Sequence, residues 1–256
     1  MAGVKRERDG AVAVLTLDET ATLNAMTPDL LGDLAAAVRE STADAAVRAL
    51  VLTGGGRGFC SGQNLKAFNA LGDDLAAGVM KHYWPAFEGL RTCRVPVVVA
   101  VNGVAAGGGF SLAMAGDIIL AARSASFIQV FSRIALVPDL GSTWMLPRLI
   151  GLARARELSL LAEKLPAEQA LDWGLINRVF DDGSLMDEAM KLAKRLAEGP
   201  ASLAFVRRLY WESPHNTFES QIDLERTAQQ RAGRTEDFRE GVMAFLQKRP
   251  SQFKGK

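Results

Sequence analysis

The sequence predicts an α/β fold in which a mixed sheet is surrounded by helices and followed by a purely helical C-terminal part. Three observations carry this. Asp9-Gly10 sits between two β-type runs, the strongest short hairpin signal a sequence offers. Short apolar strand-like runs then alternate with helical patterns, as right-handed βαβ crossovers require. From Leu185 onward only helical patterns remain.

In order, Val4 to Arg8 and Ala11 to Leu17 form the hairpin. Thr27-Pro28-Asp29 supplies a capping hydroxyl, a proline for the first turn and an acidic residue, ahead of Leu30, Leu31, Leu34 and Val38. A helix follows there. Arg48 to Thr53 and Val97 to Val101 read as buried strands ending at glycines, with a helical stretch expected over roughly Asp73 to Leu90 between them. Ile118 to Ala121 and Ile176 to Phe180 read as further strands. The closing helices are expected over 185–197, 200–210, 217–230 and 235–248, the last opened by Thr235-Glu236-Asp237. A core of residues 1–197 with a helical region of residues 198–256 is the expected division.

Composition excludes several classes. A chain of 256 residues, 48% hydrophobic and 23% charged, can bury a substantial core. Thirty basic against 29 acidic residues give a net charge of +1, with no footprint for nucleic acid or an anionic membrane. The apolar run from Val95 to Ala122 approaches membrane-span length, but Pro96, Asn102, Asp117 and its glycines argue against a span. Two cysteines make no disulfide framework, and the opening Met-Ala-Gly-Val-Lys-Arg lacks the apolar stretch of a signal peptide. A cytoplasmic location is expected.

The chemistry concentrates in three glycine-bounded segments: Gly54 to Leu65, Val101 to Ser111, and Val137 to Trp144. The first two each follow an expected strand and precede an expected helix, an arrangement that leaves peptide N–H groups bare and aims two of them at one site. Two such donors make an oxyanion hole. The third segment carries Asp139 among Leu136, Val137, Leu140 and Trp144, where desolvation raises a carboxylate toward the range of general acid–base work; the same Pro-Asp-Leu-Gly run is also ordinary turn chemistry.

Gly58-Phe59-Cys60-Ser61-Gly62 imitates a nucleophile elbow, with His215 downstream, so a Cys60 thiol hydrolase competes as a reading. Cys60 as a small buried hydrophobe is the plainer account, as are packed or surface positions for His82 and His215. No His, Cys and carboxylate spacing suggests a metal site. Arg57, Lys66, Arg91 and Arg94 are candidate phosphate anchors or plain solvated charges. Trp84, Phe68, Phe131 and Trp144 are candidate pocket walls or plain core.

Gly58 to Leu65, Ala100 to Gly109 and Asp117-Ile118-Ile119-Leu120-Ala121 resemble the enoyl-CoA hydratase/isomerase (crotonase) superfamily, over essentially the whole chain. The resemblance implies a spiral of repeated ββα units and a helical C-terminal region used for trimerisation, in homotrimers or hexamers built as dimers of trimers. It also implies acyl-CoA thioester substrates, with coenzyme A part of the substrate and no separate cofactor. The implied oxyanion hole is the N–H of Gln63 and of Gly108, and the implied substrate-binding residues are Ala25, Ser61, Gly62, Asn64, Leu65, Lys66, Gly107 and Trp144. Hydratases of this superfamily use two glutamates; here Ser111 and Phe131 stand in those places, leaving Asp139 as the acid/base. Asn64 replaces a common aspartate, a change expected to affect loop anchoring.

Phe131 to Arg148 and Arg239 to Leu246 resemble one subgroup, the isomerases of bacterial phenylacetate degradation, which convert ring-1,2-epoxyphenylacetyl-CoA to its oxepin and move double bonds in enoyl-CoA chains. The expected activity is therefore acyl-CoA isomerisation. An enoyl-CoA hydratase and a non-catalytic acyl-CoA-binding protein are the alternatives beside the Cys60 hydrolase.

Overall fold

The structure, a computed structural model, describes residues 3–256; the first two residues of the opening stretch lie outside it. Strands β1 (Val4–Asp9) and β2 (Val12–Leu17) pair antiparallel with Asp9 opposite Val12, so Gly10 and Ala11 make the turn, Gly10 at a φ of +60°. Helix α1 (Pro28–Ala43) starts where the Thr27 hydroxyl accepts the Leu30 N–H at 3.1 Å, and it buries Leu30, Leu31, Leu34 and Val38.

Strands β3 (Ala49–Gly54), β5 (Val97–Val101), β7 (Ile118–Ala122) and β10 (Arg178–Phe180) extend β2 in parallel, giving a six-stranded sheet in the order β1-β2-β3-β5-β7-β10. β3 and β5 are buried along their whole length, as expected of parallel strands covered on both faces. Each of β3, β5 and β7 is followed by a three-residue strand, β4 (Gly58–Cys60), β6 (Val104–Ala106) and β8 (Ser126–Ile128). With the antiparallel β9 (Lys164–Pro166) these build a second, four-stranded sheet, and the chain spirals between the two in ββα units.

The sequence expectation for the glycine segments is corrected here. Gly54 to Gly58 and Gly103 are not simple turns into helices: the chain enters the second sheet first. The β4 segment then leads into a 3-10 helix (Leu65–Leu71), while β6 leads into α4 (Gly108–Met114). The helical stretch expected over Asp73 to Leu90 consists of two helices, α2 (Leu75–His82) and α3 (Trp84–Thr92), because Pro85 at the start of the second helix cannot continue the first.

The apolar run from Val95 to Ala122 becomes β5, β6, α4 and β7, which fill the interior. No helix among the described residues is long and apolar enough to cross a membrane. The remaining helices are α5 (Ser142–Ile150), α6 (Leu152–Leu161), α7 (Ala167–Asp172), α8 (Leu185–Ala197), α9 (Ser202–Glu212), α10 (Phe218–Ala232) and α11 (Glu236–Leu246). α8 packs across β3 and β5 through Ala189 and Ala193. α9 is tied to the core by Arg207, which bonds Asp117 and the Cys93 carbonyl and donates to the Leu90 carbonyl at 2.7 Å. By contrast α10 buries no residue.

Candidate active site

Two peptide groups face one cavity for the same physical reason. In a trans peptide the C=O and the following N–H point in opposite directions, so anchoring the carbonyl aims the N–H. The Gly62 carbonyl accepts the Met26 N–H at 2.7 Å and the Asn64 N–H donates to the Met26 carbonyl at 3.0 Å, so the Gln63 N–H turns away from Met26. The Gly107 carbonyl accepts the N–H groups of Phe110 and Ser111 at 2.9 and 3.1 Å. The Gly108 N–H, first in α4, therefore points out of the helix start. Neither N–H has an acceptor among the described residues. Gln63 and Gly108 line a single cavity of about 270 Å³.

Glycine is required because the ends of the neighbouring strands β4 and β6 and the start of α4 approach closely here. Gly62 has a φ of +88°, and a Cβ there would lie 2.7 Å from the Ala106 carbonyl; a Cβ on Gly109 would collide with the Cys60 carbonyl.

Asp139 lines the same cavity from the loop between the 3-10 helix Val130–Ile134 and α5. It is the only acidic residue among those lining it. The next two residues, Leu140 and Gly141, both take left-handed φ values, +51° and +81°. Bonds to its carbonyl fix the loop: the Ser142 N–H donates at 3.0 Å and the Ser111 hydroxyl at 3.1 Å. The carboxylate itself is less well served. Its Oδ1 is shielded from water and has no hydrogen-bond partner among the described residues, and burial pushes its pKa up to about 6. A carboxylate left bare in this way is a poised base.

Of the expected binding residues, Ser61, Leu65 and Gly107 join Gln63, Gly108 and Asp139 around the cavity. Gly62 and Ala25 lie buried behind it, Asn64 caps the 3-10 helix by accepting the Lys66 N–H at 3.1 Å, and Lys66 is exposed. Trp144 is elsewhere. The left-handed pair Leu140-Gly141 starts α5 on the far side of the loop, so Trp144 lines a neighbouring cavity of about 470 Å³ with Trp84, Phe87, Trp211 and His215. There it stacks on His215 with ring centroids 5.0 Å apart. Leu140 lines both cavities.

Ser111 is fully buried and Phe131 walls the cavity, so neither hydratase position holds a carboxylate. Cys60 lies inside β4 with no exposed surface, and burial pushes its thiol up to about 12. A thiol so placed fits the small buried hydrophobe of the plainer account. Arg94 spends its guanidinium on the carbonyls of Thr42, Asp44 and Val47, whereas Arg57 and Lys66 are free at the surface. Among the described residues no group of His, Cys and carboxylates is placed to hold a metal.

Sequence reasoning missed Tyr83. Its hydroxyl lies 2.5 Å from Gln63 Oε1 inside the same cavity, and Pro85, which breaks the helix at this point, was the one local signal.

The enoyl-CoA hydratase/isomerase family model matches residues 7–256. The chain belongs to the enoyl-CoA hydratase/isomerase family. The 1,2-epoxyphenylacetyl-CoA isomerase of Escherichia coli (strain K12) is 46% identical, covering 96% of this chain and 95% of that protein. The mitochondrial enoyl-CoA hydratase of Pongo abelii is 32% identical, over 98% of this chain and 86% of that protein. The crystal structure of an enoyl-CoA hydratase from Polaromonas sp. JS666 superposes with a TM-score of 0.93 at 33% identity, covering 98% of this chain and all of the other (100%). This member of the enoyl-CoA hydratase/isomerase family thus has the crotonase fold, and the family acts on acyl-CoA thioesters.

Proposed function

We propose that this protein is an acyl-CoA isomerase that shifts a proton within the acyl group. The observation that carries the reading is the lone Asp139 carboxylate facing two bare peptide N–H groups in one cavity. The thioester oxygen seats between the Gln63 and Gly108 N–H groups, which stabilise it as it becomes an enolate oxygen. Asp139 takes a proton from a carbon next to the carbonyl system and returns it at another carbon, so acid and base are one group and nothing is consumed. No cofactor is needed; coenzyme A arrives as part of the substrate.

The likeness to the Escherichia coli isomerase supports ring-1,2-epoxyphenylacetyl-CoA, converted to its oxepin, and 3-enoyl-CoA, converted to 2-enoyl-CoA, as substrates. Phe68, Phe131, Ile134 and Leu136 give the cavity an apolar wall suited to either acyl group. The test is turnover of ring-epoxide, 3-enoyl and 2-enoyl thioesters by the wild type and by Asp139→Asn. Near-full isomerisation by Asp139→Asn would sink the mechanism.

Water addition to 2-enoyl thioesters is the second reading, favoured by relatives that carry the name hydratase. Rapid, stereospecific hydration of crotonyl-CoA would establish it. A homotrimer or hexamer is the proposed assembly: α11 exposes Phe238, Val242, Phe245 and Leu246, an apolar face that association would cover.

A further inference from the structure

Backbone hydrogen bonds to Met26 hold both flanks of Gln63, through the Gly62 carbonyl and the Asn64 N–H. Met26 anchors the Gly62 carbonyl, but Gly62, at a φ of +88°, is a residue with unusual freedom to rotate. The Gln63 side chain adds a further hold on this residue. Its Oε1 accepts the Tyr83 hydroxyl at 2.5 Å, and its Nε2 donates to the Asn64 carbonyl at 3.2 Å, so the two contacts together settle which end of the amide is which. The Tyr83 hydroxyl is also 3.3 Å from the Met26 carbonyl, the acceptor of the Asn64 N–H.

Tyr83 itself has little freedom. It is the single residue between α2 and α3, 2% exposed, and its N–H closes α2 on the Val79 carbonyl at 2.9 Å. Burial pushes the phenol up to about 12, the Asp139 charge adding to the rise, so it stays a protonated donor at any physiological pH.

We infer that Tyr83 is a positioning residue for the oxyanion hole, clamping the Gln63 side chain so that the Gln63 N–H stays aimed at the thioester oxygen. This rests on the acyl-CoA reading and adds to it: the hole is a main-chain device whose aim is set by a side-chain pair contributed by the junction of two helices.

The test compares Tyr83→Phe, Gln63→Ala and the double variant, each checked for folding by thermal melting. Each single variant is expected to lose roughly tenfold in kcat with KM within about twofold, since the donor acts mainly on the developing oxyanion. The double variant is expected to lose no more than either single one, as two ends of one contact do. An independent readout is the carbonyl stretch of a bound saturated acyl-CoA thioester, which should be less red-shifted in Tyr83→Phe than in the wild type. Wild-type kcat and carbonyl frequency in Tyr83→Phe would overturn the inference, as would losses that multiply in the double variant. If Tyr83→Phe fails to fold, Gln63→Ala alone decides, by keeping or losing the frequency shift. A wild type that neither binds nor turns over any acyl-CoA thioester fails the acyl-CoA reading itself, a result distinct from an active wild type indifferent to Tyr83.

Discussion

The two sides of the cavity are built on opposite principles. The oxyanion side consists of peptide groups whose carbonyls are anchored by Met26, Phe110 and Ser111, just past the ends of the neighbouring strands β4 and β6. The Asp139 side is a loop with two left-handed residues in succession and a carboxylate whose Oδ1 has no partner among the described residues. One side is over-determined by hydrogen bonds, while the other leaves a reactive group under-solvated. On the proposed reading, the difference teaches that geometry is supplied where charge develops, and destabilisation where a proton is taken up and released.

The largest test of this contrast is Asp139→Asn, which should lower isomerisation by about 1000-fold, read as kcat on a 3-enoyl-CoA or ring-epoxide thioester. Next is Gly109→Ala on the rigid side. Its Cβ meets the Cys60 carbonyl, so α4 must shift, and a loss of about 2 kcal/mol in unfolding free energy should accompany a fall in kcat. A denaturant titration alongside the rate assay checks both.

The pH response separates the two sides further. With a pKa of about 6, Asp139 is the active base only when ionised, so kcat/KM should fall tenfold per pH unit below about pH 6 and level off above it. Stability should run the other way. The folded state holds the Asp139 proton more tightly than the unfolded chain, whose carboxyl titrates near its ordinary value. This group therefore favours folding fully below about pH 4, and its contribution is lost as pH rises through about 6. Asp139→Asn should accordingly be more stable than wild type at pH 8, by at most about 2–3 kcal/mol, and equal to it at pH 4. Equal melting temperatures at both pH values would show that the carboxylate is not destabilised by burial.

A smaller effect is expected from Ser111→Ala, which removes the hydroxyl holding the Asp139 carbonyl. The cost should be about 1 kcal/mol in stability and a few-fold in kcat, because the Ser142 N–H still holds the same carbonyl. Last, Phe245→Ser on the exposed face of α11 should leave the cavity intact while shifting any trimer toward smaller species in sedimentation.

How much of this was legible depended on length and periodicity. The hairpin, α1, β3, β5 and α8 are long enough to display a hydrophobic period or a cap, and the sequence expectations match them within a residue or two at most ends. Strands β4, β6 and β8 have three residues each, too few to show a period, so the glycine-bounded segments that hold β4 and β6 read as turns into helices, and nothing in the sequence marks β8. The cavity was partly readable for a related reason: glycines reveal close backbone approach, and Pro138-Asp139 among apolar neighbours reveals a desolvated carboxylate. Trp144 lines the neighbouring cavity and not the one Asp139 lines, a direction that five residues of sequence separation do not reveal once Leu140 and Gly141 turn the chain. Tyr83 was invisible because its role depends on a contact with Gln63, 20 positions away.

One consequence follows from the hole being made of peptide bonds. Ordinary side-chain substitutions leave the N–H groups of residues 63 and 108 in the chain, so mutation can rewrite the reaction without removing the means of activating the thioester. On the proposed reading, serine, phenylalanine and aspartate at 111, 131 and 139 choose the carbon chemistry, while the peptide donors are supplied whatever side chains stand at 63 and 108.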